Sequence, residues 1–204
     1  NKLLFIIIRR KGIKSASRGT LRARAVDNFP KRGNNRAMKS FPLSPNLMRL
    51  ARAFREAGQT LYAVGGMVRN PLLDLPVSDA DVCSAMRPDE VKVLCEARGF
   101  GCFPKGAAFG TLDIVAGEGD AREKFEYACF RSEAYGRGGA HRPEKVAYSD
   151  SLEEDAFRRD FTVNAIYLDI LENRITDPTG VVEDLQKKLI RATSPDPGRI
   201  MGDD

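Results

Sequence analysis

A chain of 204 residues with 42% hydrophobic content can support one domain with a buried core. Its net charge of +5 is uneven: residues 1–37 hold eleven of the 33 Lys/Arg and one of the 28 acidic residues, a local +10 that leaves −5 for the rest. No apolar run approaches the ~20 residues of a membrane helix, and one histidine with four cysteines lacking any Cys-x-x-Cys pair argues against a zinc site and fits reduced thiols in a cytoplasmic protein.

The apolar run at residues 3–8 precedes its basic cluster, the reverse of a secretion signal. The basic segment has two readings, an RNA-binding arm or upstream translated sequence outside the fold. Composition favours the second, because the chain begins without methionine and Met38 stands just ahead of the first periodic element. Residues 1–39 are therefore expected to be an extension that is disordered or foreign to the fold.

From there the chain alternates helices and strands. Residues 45–57 read as a helix, with Leu47, Leu50, Ala51 and Phe54 at helical spacing and Gly58 as its stop. Residues 61–64 and 81–84 read as strands. Pro88-Asp89-Glu90 opens a helix that closes at Gly99. Residues 111–116 and 125–130 form a hairpin across 117–120, and residues 132–149, rich in Gly and Arg, read as a mobile loop holding the single histidine, His141. A helix beginning at 151–154 is expected to carry Arg158-Arg159-Asp160. Short strands at 166–170 and 174–176 and a helix at 183–188 follow. This order predicts an α/β (α+β) domain with a mixed sheet flanked by helices.

Two features carry chemistry. The strand at 61–64 runs into Gly65-Gly66, and Arg69 follows; glycine permits close backbone approach to a bound group, and a guanidinium forks onto phosphate oxygens. Ten residues after Arg69 come Asp79-Ala80-Asp81, two carboxylates that a strand would point to one face, an arrangement suited to a hard cation such as Mg²⁺ beside a triphosphate. Each feature alone is also the signature of an ordinary turn or capping pair.

Together they resemble the head of the class II tRNA nucleotidyltransferases, the bacterial and eukaryotic CCA-adding enzymes, and of bacterial poly(A) polymerase. The resemblance rests on Gly65-Gly66-Met67-Val68-Arg69-Asn70-Pro71-Leu72-Leu73, on Ser78-Asp79-Ala80-Asp81-Val82, and on Glu153-Glu154-Asp155-Ala156-Phe157-Arg158-Arg159-Asp160-Phe161-Thr162-Val163-Asn164-Ala165. Phe109-Gly110-Thr111, Glu126-Tyr127-Ala128-Cys129-Phe130-Arg131, Asp177-Pro178-Thr179-Gly180 and Asp184-Leu185-Gln186-Lys187-Lys188-Leu189-Ile190-Arg191 extend it from about Ser40 onward.

The resemblance implies transfer of C and A from CTP and ATP to a tRNA 3′ end. Asp79 and Asp81 would hold two Mg²⁺ ions, with Glu126 as third carboxylate near the attacking hydroxyl. Gly65, Gly66 and Arg69 would contact the triphosphate, Arg159 the nucleotide, and Asp160 would support its block by fixing an arginine. It implies tRNA as partner, no membrane, and a head over residues 40–193. Residues 194–204 would begin a neck, the base-selecting motif starting at Asp203-Asp204 and continuing past the chain, so that activity of these residues alone is in question. Asn70 stands where the family commonly has aspartate, and Phe109 where it commonly has histidine. The motifs leave open polyadenylation or partial CC- or A-addition, a non-catalytic fragment that binds nucleotide or RNA, and nucleotidyl transfer to a small molecule.

Overall fold

The computed structural model describes residues 6–8, 24–26, 41–106, 110–132 and 147–193. The expectations for Phe109, His141, most of the 132–149 loop, residues 194–204 and the remainder of residues 1–39 lie outside the described residues. In the N-terminal segment two short strands are described, β1 (Ile6–Ile8) and β2 (Arg24–Val26).

From Phe41 the elements are α1 (Pro45–Glu56), β3 (Tyr62–Val64), α2 (Gly66–Leu72), β4 (Asp81–Ser84), α3 (Pro88–Arg98), β5 (Gly101–Gly106), β6 (Thr111–Ala116), β7 (Glu123–Cys129), β8 (Arg131–Ser132), β9 (Ala147–Tyr148), α4 (Leu152–Phe157), β10 (Tyr167–Asp169), β11 (Arg174–Asp177), α5 (Val181–Gln186) and β12 (Leu189–Arg191). The sheet runs β2-β11-β10-β3-β4-β7-β6-β5. β4 and β7 are parallel and every other pair in it is antiparallel, so the sheet is mixed as the element order predicted. β1 lies outside it and pairs in parallel with β12.

The strands alternate strictly, and this divides the sheet into two faces. Leu168, Ala63, Val82, Tyr127 and Leu112 lie in one register row across five strands. They pack against the apolar stripes of α1 and α3, including Leu47, Leu50, Phe54, Val91 and Cys95. Tyr127 anchors this layer: its hydroxyl meets Ser84 Oγ at 2.8 Å and donates to the Met86 carbonyl at 2.5 Å. α1 is started by Ser44, whose Oγ accepts from the Leu47 N–H at 3.1 Å. α3 is closed by Gly99 in the left-handed conformation.

The opposite face is covered in part. Val64, Cys83, Phe130, Ala156, Ala165 and Tyr167 form a second, smaller cluster beneath α4. Over β5, β6 and β7 this face is open: Thr111, Asp113, Val115, Glu126 and Ala128 are half-buried and Lys124 is exposed. The closing segment is locked by two buried carboxylates. Asp177 accepts from the Val181 and Val182 N–H groups at the start of α5, and Asp184 receives a two-pronged contact from Arg191.

Two segments adopt structure against their local composition, and two local expectations differ. Gly66–Leu72 is helical although it starts on a glycine and contains Pro71. Gly101–Gly106 is a strand despite two glycines and Pro104, because pairing with β6 outweighs local propensity; the register shift at Pro104/Gly106 absorbs the misfit. α4 ends at Phe157, so Arg158-Arg159-Asp160 follows the helix rather than riding on it. Asp79 precedes β4 instead of sharing it with Asp81.

Candidate active site

Antiparallel pairing of β3 with β4 sets the end of β3 beside the start of β4, which brings Gly65 next to Asp81. β10 is antiparallel to β3, so its approach lies on the other side of the same glycine, and the Gly65 N–H donates to the Ile166 carbonyl at 3.3 Å. β7, parallel to β4, places Glu126 in register with Asp81. Topology alone therefore gathers at one end of the sheet four segments scattered over a hundred residues.

Gly65 has φ +63° and ψ −123°, a backbone state open to glycine and strained for other residues. Its carbonyl accepts from the Arg69 N–H at 2.8 Å, closing the first turn of α2. A Cβ at Gly66 would stand 3.6 Å from Arg69 Nη2, and one at Gly65 4.0 Å from the Asn164 carbonyl. The glycine pair thus leaves a bare backbone wall bounded by a guanidinium and an amide.

Arg69 is held by two neutral partners. Its Nε donates to Asn70 Oδ1 at 3.1 Å and its Nη1 to Asn164 Oδ1 at 2.6 Å, while Asn70 Nδ2 donates to the Pro76 carbonyl at 2.8 Å. Among the described residues no carboxylate forms an ion pair with Arg69. The amide at position 70 keeps the side chain oriented and leaves its charge available for an anion. Burial lowers the Arg69 guanidinium pKa from its ordinary value, against the pull of nearby Asp81.

Arg159 is the opposite case. Its Nε and Nη2 donate to Asp155 Oδ2 at 3.1 and 2.9 Å, its Nε to the Tyr167 hydroxyl at 3.1 Å, and its Nη1 to the Asn164 carbonyl at 3.3 Å. Arg158 donates to Asp155 Oδ1 at 2.8 Å through Nε, and Tyr167 donates to Oδ2 at 2.8 Å. The Arg131 N–H adds a contact at 3.2 Å. Asp155, its side chain 1% exposed, is the hub of the block. Burial would push its carboxyl up, but Arg159 and Arg158 together hold it below its ordinary value. The arginine-fixing carboxylate is thus Asp155 and not Asp160. Asp155 sits in the last turns of α4, three and four residues before its partners, where helical spacing delivers them to one side. Asp160 lies beyond the helix end with its side chain exposed and its carbonyl accepting from the Thr193 N–H.

Arg69 and Arg159 both bond to Asn164 and both lie within electrostatic reach of Asp81. Asp81 is half-buried. Its carboxyl is pushed up by burial, then by the charges of Glu126 and Asp79, with Arg159 and Lys105 opposing. Asp79 is exposed, and Ser78 Oγ donates to its Oδ2 at 2.8 Å. Glu126 is already engaged: Lys105 Nζ pairs with its Oε1 and Lys124 Nζ lies 3.3 Å from the same atom. The bond from Lys105 is the main reason that its carboxyl lies below the usual range. The register row continues from Asp81 and Glu126 to Asp113 on β6.

Asp155 and Asn164 both stand in the recognised block without a task that the motif assigns, and both are within reach of the sequence because the block names them. Tyr167, Lys105 and Lys124 belong to no motif; their places depend on how β10, β5, β6 and β7 register.

An α/β sheet that brings a glycine turn, two arginines and carboxylates to one strand end defines a nucleotidyltransferase-type head. Residues 61–191 match the family model described as the poly(A) polymerase head domain, and the chain belongs to that family. It is 36% identical over 157 residues to a CCA-adding enzyme of Lactobacillus helveticus, covering 77% of this chain and 37% of that one. It is 38% identical over 159 residues to a CCA-adding enzyme of Geobacillus thermodenitrificans, covering 76% and 36%. The chain thus spans little more than a third of the length of these relatives. The fold is similar to that of the Bacillus stearothermophilus CCA-adding enzyme in complex with CTP, with TM-score 0.61 and 28% identity over 78% of this chain and 38% of that one. It is also similar to a tRNA nucleotidyltransferase complexed with a primer tRNA and an incoming ATP analog, with TM-score 0.53 and 32% identity over 74% and 42%.

Proposed function

We propose that this chain is the catalytic head of a template-independent RNA nucleotidyltransferase that adds C and A from CTP and ATP to the 3′ end of tRNA. The observation that carries the reading is the convergence of Arg69 and Arg159 on Asn164 beside Asp81. The names of the relatives support the substrates. In the reaction the 3′ hydroxyl gives up its proton to solvent and its oxygen bonds to the α-phosphorus as that atom's bond to the β-phosphate bridging oxygen breaks, and pyrophosphate leaves.

Each residue has a task in that displacement. The bare backbone at Gly65 and Gly66 lets the triphosphate approach, and Arg69, which has no carboxylate ion-pair partner among the described residues, takes its charge. Arg159 is held rigid by Asp155 and Tyr167 and lines the nucleotide side. Asp160 keeps its assignment to this block only through its backbone, which Thr193 fastens. Glu126, in register with Asp81, orients the approaching hydroxyl.

Asp79 and Asp81 would hold Mg²⁺. Among the described residues no group of three His, Cys, Asp or Glu side chains gathers as a metal cage. Two carboxylates nevertheless suit an ion bound chiefly through substrate phosphates and water. Burial, and then the charges of Glu126 and Asp79, raise the Asp81 carboxyl, and a divalent cation would offset both. When bound, such ions supply electrostatic stabilisation of the attacking and leaving oxygens.

Among the described residues no helix is long and apolar enough to cross a membrane. Four free cysteines accord with a reducing compartment, and we place the protein in the cytoplasm. The test is incorporation of labelled CTP and ATP onto tRNA lacking its terminal CCA. C-then-A addition that is lost on Asp81→Asn supports the reading. Extension with ATP alone would favour polyadenylation, the second reading, for which the family's own description speaks.

A further inference from the structure

The open face of the sheet holds a group of side chains that the nucleotide site does not use. From Asp81 the register row runs through Glu126 and Asp113 to Phe103 on β5, the edge strand. At about 4.8 Å per strand, Phe103 stands roughly 14 Å from Asp81 across the face. Its side chain is 52% exposed, unusual for a phenylalanine in a sheet. A Cβ at Gly101 would lie 3.1 Å from Phe103 Cε2, so the ring rests over the bare backbone of its own strand. Lys105 and Lys124 flank the row from both sides. Both pair with Glu126, and Lys124 also lies 3.6 Å from Asp113 Oδ2. The two ammonium groups offset the two carboxylates beyond Asp81, so the face does not repel a polyanion there. Pro104 and the register shift after it blunt the edge of β5 against strand addition, which leaves the face as its docking surface.

An exposed aromatic ring beside mobile cations on a sheet face is the chemistry that holds single-stranded nucleic acid, the ring stacking a base and the cations meeting phosphates. We propose that Phe103, Lys105 and Lys124 form the subsite for the 3′-terminal single-stranded segment of the RNA being extended. Phe103 stacks a base close to the reacting end, and the lysines exchange Glu126 for backbone phosphate as the strand comes in. The inference rests on the nucleotidyltransferase reading, since it needs an RNA end to be brought to Asp81. It assigns the acceptor to the β5–β7 side of the site and leaves the triphosphate on the Arg69 and Asn164 side.

The test uses the full 204-residue chain and a fluorescein-labelled single-stranded oligoribonucleotide ending in CC, with binding read by anisotropy over a series of salt concentrations. Phe103→Ala should weaken binding about fivefold or more, and Phe103→Trp should restore it. Lys105→Ala and Lys124→Ala should each reduce the slope of log K against log salt by about 0.7, whereas Lys187→Ala, at a remote exposed ion pair, should not. CTP binding in the presence of Mg²⁺ should be unchanged in Phe103→Ala, which separates failure of this subsite from failure of the nucleotide site. Equal RNA affinity of wild type and Phe103→Ala, with equal salt slopes for the lysine variants, would overturn the proposal. The exposed patch would then serve a protein surface or only protect the sheet edge.

Discussion

Asp155→Ala removes one carboxylate that accepts from Arg158, Arg159, Tyr167 and the Arg131 N–H. Breaking a buried ion pair from one side costs about 3–5 kcal/mol, because the remaining charge is left uncompensated. The arginine side chains are 23% and 18% exposed, so water can reach them in part and the lower end applies, about 3 kcal/mol. For a chain of this size each kcal/mol lowers Tm by roughly 2–4 °C, which gives a fall of about 6–12 °C. Thermal and urea melts followed by circular dichroism would read it, with an unchanged urea slope showing that the folded state survives. The loss has a pH signature. The Asp155 carboxyl lies below its unfolded value, so its stabilisation is present above that value and disappears as pH falls through the folded one. Wild type and variant should therefore converge in stability under acid conditions below about pH 4. A drop under 1 kcal/mol at neutral pH, or a gap that persists in acid, would refute the hub.

Asp81→Asn should raise Tm at pH 7 while abolishing Mg²⁺-dependent nucleotide binding, because the folded state holds this carboxylate above its ordinary pKa and its ionised form is a burden on the fold; the gain should shrink as pH falls through the folded value and vanish below the unfolded one, and a lower Tm at pH 7 would count against that burden. Arg69→Ala should weaken CTP binding roughly ten- to hundredfold, the worth of a charge-assisted contact, with Tm little changed since its partners are neutral amides; unaltered affinity by titration calorimetry would remove it from the triphosphate site. Deleting residues 1–39 takes away β2 at the sheet edge and β1 outside it; we expect Tm to move by only a few degrees, and a large fall would make that segment integral to the domain.

The elements whose local pattern and tertiary environment agree were readable beforehand. α1 has an apolar stripe, a serine cap and a glycine stop, and β6 alternates half-buried and buried residues from Thr111 to Ala116 without a break. α2 and β5 were not readable, because Gly66, Pro71, Gly101 and Pro104 argue locally against the structures they occupy; core burial of Met67 and Val68 decides the first and pairing with β6 the second. The site divides the same way. Asp81, Arg69 and Arg159 announced themselves through spacing and block identity, and Glu126 through its strand. Asp155 stands in the same block, but its task shows only in the structure, where Arg158 and Arg159 keep helical spacing from it just past the end of α4. The alignment of Phe103 and Asp113 with Glu126 is a fact of register, and a slip of one residue would turn each to the other face.

The most direct test of the account is a calorimetric titration of the chain with CTP and with ATP, with and without Mg²⁺, for wild type and for the Asp79→Asn/Asp81→Asn pair. The account predicts binding of both nucleotides that needs Mg²⁺, weakens in Arg69→Ala and disappears in the aspartate pair while the fold remains intact. Binding that persists in the aspartate pair at full strength, or that ignores Mg²⁺, would contradict it.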